Sequence, residues 1–114
     1  MADKNDKRET VLGTYFVRPG AEAEFEQVLA RNWSTLNALG FVTDDRPLVL
    51  RSVSEPPVYV EVLTWEPGGV DPAHVHPDVI PVWEAIKRLV EPRDVPTDPV
   101  GITFPAYRPV TLDQ

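Results

Sequence analysis

Apolar positions recur along the chain with two different periods. In Thr10–Arg18 (TVLGTYFVR) β-branched and aromatic residues crowd together until Pro19-Gly20 closes the run, which predicts a strand. From Ala21 to Leu39 the period changes. Ala21, Phe25, Val28, Leu29, Trp33, Leu36 and Leu39 fall on one helical stripe. Glu22, Glu24 and Glu26 complement the positive end of the helix dipole, and Gly40 supplies a C-terminal stop. At a rise of ~1.5 Å per residue this helix is roughly 28 Å long.

A polar turn, Thr43–Pro47, leads to two extended runs, Leu48–Ser54 and Val58–Glu66, joined by Glu55-Pro56-Pro57. Two alternating runs with a short loop between them predict a hairpin. Leu48, Leu50, Val58, Val60 and Val62 are all even-numbered and aliphatic, while Val49, Arg51, Val53, Tyr59, Glu61, Leu63 and Trp65 form a mixed odd-numbered face. A three-residue loop keeps even opposite even and sets Arg51 opposite Glu61. A slip of one residue would mix the faces.

Pro67-Gly68-Gly69 ends the hairpin. Asp71-Pro72 has the form of an N-cap followed by proline at the first helical position. Pro77 and Pro81 cannot both lie inside one helix. The expectation is a short turn at Pro72–His76, a break, and a helix from about Val79 with Asp78 as its cap, burying Val79, Trp83, Ile86 and Val90. Glu91–Gly101 reads as a loop. Ile102–Leu112, interrupted by Pro105 and Pro109, reads as a short or edge strand.

The order βαββαβ predicts an α+β, ferredoxin-like domain: a four-stranded antiparallel sheet with two helices on one face. The aliphatic even face of the hairpin is expected beneath the helices. The odd face, with Tyr59, Leu63 and Trp65, is then too apolar to stay wet, and a second copy of the sheet is the simplest cover, giving a homodimer. Residues 1–9 are polar and read as a flexible tail, and residues 10–114 as a single domain.

Composition narrows the function classes. The chain has 114 residues, a net charge of −7 and no cysteine. The acidic excess disfavours nucleic acid and anionic membranes as partners, and the lack of cysteine removes disulfides, thiolate metal sites and a cysteine nucleophile. No apolar run approaches the ~18 residues of a membrane span. A cytoplasmic location is expected. Thirteen prolines fall mainly between the periodic segments, where they punctuate them.

The strand Tyr59-Val60-Glu61-Val62-Leu63-Thr64-Trp65, then Ala73-His74, Pro77 and Trp83-Glu84, together with Arg18–Phe25 (RPGAEAEF) leading into the first helix, resemble the dimeric α/β-barrel superfamily. Within it the chain is most similar to antibiotic-biosynthesis-monooxygenase-type (ABM-type) domains, from about Thr10 to Leu112. The resemblance implies a dimeric α/β barrel and a cofactor-independent, monooxygenase-like activity on a small aromatic or apolar molecule in the barrel cavity. The alternative is a non-catalytic dimeric small-molecule-binding module of the same fold. The haem-degrading branch does not transfer: the first strand lacks its Asn, and Trp83 follows His74 rather than preceding it.

Candidate chemistry centres on Glu61 and His74 as acid–base groups in a pocket between sheet and second helix, with Arg51, Tyr59, Trp65 and Trp83 as substrate-binding residues. Arg51 would hold Glu61 ionised or bind an anionic substrate group; equally, the two would form a cross-strand ion pair that fixes the hairpin. Trp65 would be a ligand platform or interface packing. His74 and His76 point about 200° apart on a helix, so unless that segment is extended no metal is expected there; the resemblance implies no cofactor.

Overall fold

The computed structural model describes residues 7–107 and 110, so the start of the expected tail and the end of the expected last strand lie outside the described residues. Glu9, the last residue of the expected tail, begins a strand. The elements run β1 (Glu9–Phe16), α1 (Glu22–Ala38), β2 (Leu48–Arg51), β3 (Val58–Trp65), α2 (Val70–Val75), α3 (Ile80–Leu89), β4 (Ile102–Thr103) and β5 (Ala106–Tyr107). All strand pairings are antiparallel, in the order β2-β3-β1-β4, with β5 also pairing β1. This is the ferredoxin-like arrangement. The expected fourth strand is divided because Phe104-Pro105 interrupts it, and Pro105 contributes only its carbonyl, to the Leu12 N–H at 3.0 Å.

The hairpin parity holds, but its register differs. Val49 lies opposite Glu61 and Arg51 opposite Tyr59. The loop is longer than three residues: Ser52 still donates its N–H to Val58 at 2.8 Å, and Val53 and Ser54 belong to the turn, with Val53 fully exposed. Pro57 is drawn out of the strand, its carbonyl accepting from the Val17 N–H and from Arg93.

The two faces are the reverse of the expectation. Tyr59, Glu61, Leu63 and Trp65 are buried beneath the helices, whereas Leu48 and Leu50 are 58% and 53% exposed. On β1 the pairing puts Val11, Gly13 and Tyr15 on the helix side and Leu12, Thr14 and Phe16 on the other. The aliphatic face is therefore the one without helices, and the odd face is not a surface for a second copy.

Helix α1 ends at Gly40, whose positive φ of 77° lets the chain reverse while the Phe41 N–H reaches the Leu36 carbonyl. The break between α2 and α3 is present, and Pro81 falls in the first turn of α3 as expected. The caps differ: α2 starts at Val70 after Gly69, α3 starts after Val79, and neither Asp71 nor Asp78 forms a side-chain cap. Gly69 sits where a Cβ would lie 2.3 Å from the Phe41 carbonyl oxygen, so the close approach of these loops requires glycine.

The helix-side core has two parts. Tyr15, Phe25, Leu29, Tyr59 and Ile86 belong to one; Leu36, Val42, Leu63, Trp65 and Val79 belong to the other, and Trp83 packs against both. Burying each such large side chain contributes roughly 1.5–3 kcal/mol. Gly13 on β1, Glu61 on β3 and Asn32 on α1 lie between residues of the first part and residues of the second on their own elements.

Candidate functional site

A cavity of about 390 Å³ opens at this seam. Its sheet side is made by Val11, Gly13, Tyr15, Glu61, Leu63 and Trp65, and its helix side by Asn32, Val70, His74, Trp83 and Ile86. The exposed His74 and Lys87 mark where it meets solvent. The volume is within the range of sites for small organic ligands.

Asn32 and Glu61 are the buried polar residues of the described chain, at 4% and 3% exposure, and both line this cavity. The Glu61 Oε1 accepts a hydrogen bond from the Tyr15 hydroxyl at 3.0 Å. Its Oε2 is buried and has no partner among the described residues. Burial disfavours the charged carboxylate and pushes the group up to about 7 from its ordinary 4.5, although the Tyr15 bond pulls the other way. The Tyr15 phenol is raised well above its usual value, by burial first and by the neighbouring Glu61 charge second. It stays protonated and acts as a fixed donor. Gly13, directly opposite Glu61, leaves the room: a Cβ there would lie 3.0 Å from the Tyr15 hydroxyl.

The aromatic walls are held from behind. Trp65 and Trp83 meet edge to face at 6.4 Å between ring centroids, and the His74 ring stands edge-on to Trp83 at 4.9 Å. The Trp83 indole N–H donates to Asn32 Oδ1 at 2.8 Å.

Of the six residues expected at the site, Glu61, His74, Trp65 and Trp83 line the cavity together. Arg51 and Tyr59 do not. Arg51 is on the edge strand, where its guanidinium reaches Glu22 at 3.4 Å and Glu55 at 3.1 Å. It pairs with neither Glu61 nor anything in the cavity, because the longer loop shifts the register by two residues. Tyr59 is in the core beside Phe25, and its hydroxyl donates to Glu26. His76 turns away, its Nδ1 accepting the Asp78 N–H. Among the described residues no three metal-ligating side chains gather, and no helix is long and apolar enough to cross a membrane.

Tyr15, Asn32 and Gly13 are the site residues that the sequence reading missed. The signals existed: Tyr15 and Gly13 share the parity of β1's inward face, and Asn32 interrupts the α1 stripe one turn after Val28 and one turn before Leu36.

Comparison with known proteins bears on the fold. No protein-family profile matches the chain, and no curated protein matches it in sequence. Solved structures do. SnoaB, a cofactor-independent oxygenase from Streptomyces nogalater, aligns with a TM-score of 0.72 at 20% identity, over 93% of this chain and 96% of that one. A Caulobacter crescentus protein provisionally assigned to the antibiotic biosynthesis monooxygenases aligns at 0.70 and 16% identity, over 93% and 92%. A dimeric ferredoxin-like protein of unknown function from Jannaschia sp. aligns at 0.62 and 17% identity, over 89% and 98%. The chain thus has the ferredoxin-like α+β fold of the ABM-type proteins.

Proposed function

We propose that this protein is a monooxygenase-like catalyst that needs no cofactor and takes a small, planar, largely apolar molecule into the cavity beneath its helices. The observation that carries this reading is the buried Glu61 carboxyl, with one oxygen unpartnered in a cavity walled by Trp65 and Trp83. A buried polar atom without a partner costs about 1–3 kcal/mol, a cost that a ligand's hydrogen bond would offset.

An oxygenase without a cofactor takes its electrons from the substrate. A suitable substrate is a ring compound whose anion reduces O2, with an acidic O–H or a CH2 beside conjugated rings. Glu61, with a pKa of about 7, is well matched to remove that proton near neutral pH. For a methylene centre, one substrate and one O2 give one ketone and one water. Two C–H bonds break, one oxygen atom bonds to carbon, and the other leaves with the two hydrogens as water; the methylene carbon is oxidised and O2 is reduced. Glu61 moves a proton, the tryptophans hold the ring plane, and His74 is placed at the mouth for proton exchange with solvent.

The test is oxygen uptake with anthrone, a planar ketone with an acidic CH2. The protein should accelerate uptake over spontaneous oxidation, and Glu61→Gln should remove most of the acceleration. No acceleration, with tryptophan fluorescence still quenched by the ring, would replace this reading with the binding-module one.

A second copy is proposed to cover the aliphatic face of the sheet, where Leu12, Phe16, Val60 and Val62 lie beside the exposed Leu48 and Leu50. A contiguous apolar patch rimmed by polar residues is what a protein interface covers. Light scattering should give twice the chain mass, and Val60→Arg should halve it. A wild-type monomer would refute the assembly.

A further inference from the structure

Two polar side chains of the cavity lining are buried, Glu61 on the sheet and Asn32 on α1, and the protein fixes which way the Asn32 amide faces. We propose that Asn32 is the hydrogen-bond donor for the ligand, its amide turned toward the cavity by Trp83, so that the preferred ligand carries a ketone or phenolate-type oxygen on the side facing α1. The proposal rests on the reading of the cavity as a binding site and adds which residue sets specificity there.

The sense of the amide follows from the partner. An indole N–H can only donate, so the 2.8 Å contact from Trp83 Nε1 requires the carbonyl oxygen of Asn32 to face it. The amide nitrogen is thereby turned the other way. It has no partner among the described residues, yet the residue is only 4% exposed and lines the cavity. The amide nitrogen is not one of the fully enclosed unpartnered atoms, so it stays open to whatever fills the cavity. If the role of position 32 were only to satisfy the Trp83 indole, any acceptor would serve there. The extra donor is left for something that enters.

Its surroundings support the same chemistry. On the sheet side, the Tyr15 hydroxyl already donates to Glu61 and is not available to a ligand. A ligand oxygen that only accepts finds its donor on the helix side, at Asn32. A ring bearing both an acidic hydrogen and a carbonyl oxygen would satisfy Glu61 and Asn32 together, and the bond from Asn32 would strengthen as the proton leaves and charge moves onto that oxygen. Trp83 is then a positioning residue as well as a wall.

The test uses two probes of matched shape, 2-acetylnaphthalene and 2-ethylnaphthalene, which differ in one carbonyl oxygen, with affinities read by tryptophan fluorescence. The wild-type protein should favour the ketone about fivefold to tenfold, the ordinary net worth of one hydrogen bond. Asn32→Leu removes the donor, and Asn32→Asp keeps an acceptor for Trp83 while removing the donor. Both should bring the ketone-to-hydrocarbon ratio to about one or below. Trp83→Phe, which keeps a ring but frees the amide to turn over, should give a ratio between those of the wild type and the leucine variant. If both probes bind the wild type and the ratio is unchanged in the Asn32 variants, the donor role is refuted while the cavity reading stands. If neither probe binds, the cavity reading fails and this proposal with it.

Discussion

Glu61→Gln offers the sharpest physical test of the site, because its effect on stability should depend on pH in a calculable way. The Glu61 carboxyl is raised from 4.5 to about 7 in the folded protein. A raised carboxyl means that the folded state holds the proton more tightly than the unfolded chain does. Stability is then full below about pH 4.5, falls as pH rises toward and through 7, and levels off above it, where the buried carboxyl is ionised in the folded protein too. At ~1.36 kcal/mol per pH unit, roughly 2–3 kcal/mol should be lost between pH 5 and pH 8 on this account alone. Glutamine keeps the shape and can still accept from Tyr15, but it cannot ionise. Urea denaturation followed by tryptophan fluorescence at pH 5, 6, 7 and 8 would report the difference between the two proteins, with every other titrating group common to both. The variant should nearly match the wild type at pH 5 and exceed it by roughly 2–3 kcal/mol at pH 8. A difference that stays flat from pH 5 to 8 would refute the account of a buried, largely uncompensated carboxyl.

Three further outcomes are expected from denaturation measurements. Gly69→Ala should cost about 1–3 kcal/mol, because the new Cβ would meet the Phe41 carbonyl at 2.3 Å and the loops must part; no loss would mean that they part freely. Arg93→Ala should cost about 1–3 kcal/mol, since its guanidinium ties the Val17 and Pro57 carbonyls to Glu91, and a neutral result would mark these contacts as dispensable. Asp78→Ala should change stability by less than about 0.5 kcal/mol, as its exposed side chain caps nothing, and a loss near 1 kcal/mol would restore it as a cap.

The periodic signals were legible in the sequence. The α1 stripe, the strand parity, the proline break before α3 and the βαββαβ order all emerge from spacing, and they fix the fold. What failed was distance along the chain rather than type. A hairpin loop read as Glu55-Pro56-Pro57 is longer, since Val53 and Ser54 lie in it and Pro57 is tied to Val17 and Arg93. That difference of two residues preserves parity and moves Arg51 from Glu61 to Tyr59. No local rule could have exposed it, because the contacts that hold Pro57 come from β1's end and from the loop after α3, both far away in the chain.

The inverted faces have a different cause, and it leads back to function. Choosing the more aliphatic face as the inner one assumes that one side of the sheet is core and the other is water. Here the side under the helices carries Glu61 and Trp65, because it encloses a cavity, and a uniformly aliphatic lining would leave that cavity without a polar group. The other side of the sheet carries Leu12, Phe16, Leu48, Leu50, Val60 and Val62 with threonines between them, which suits a sheet-to-sheet contact better than a binding cavity. The mixed face of β3 therefore gains its meaning from the matching interruption in α1. Glu61 breaks the run of Tyr59, Leu63 and Trp65, and Asn32 breaks the run of Phe25, Val28, Leu29 and Leu36. Each interruption alone reads as a polar residue due for solvent. Together, on two elements that face one cavity, they mark one level at which the core gives way, and Gly13 on β1 completes it by withholding a side chain. Local rules are broken where a protein keeps its chemistry, and in this chain the three departures fall on a single cavity.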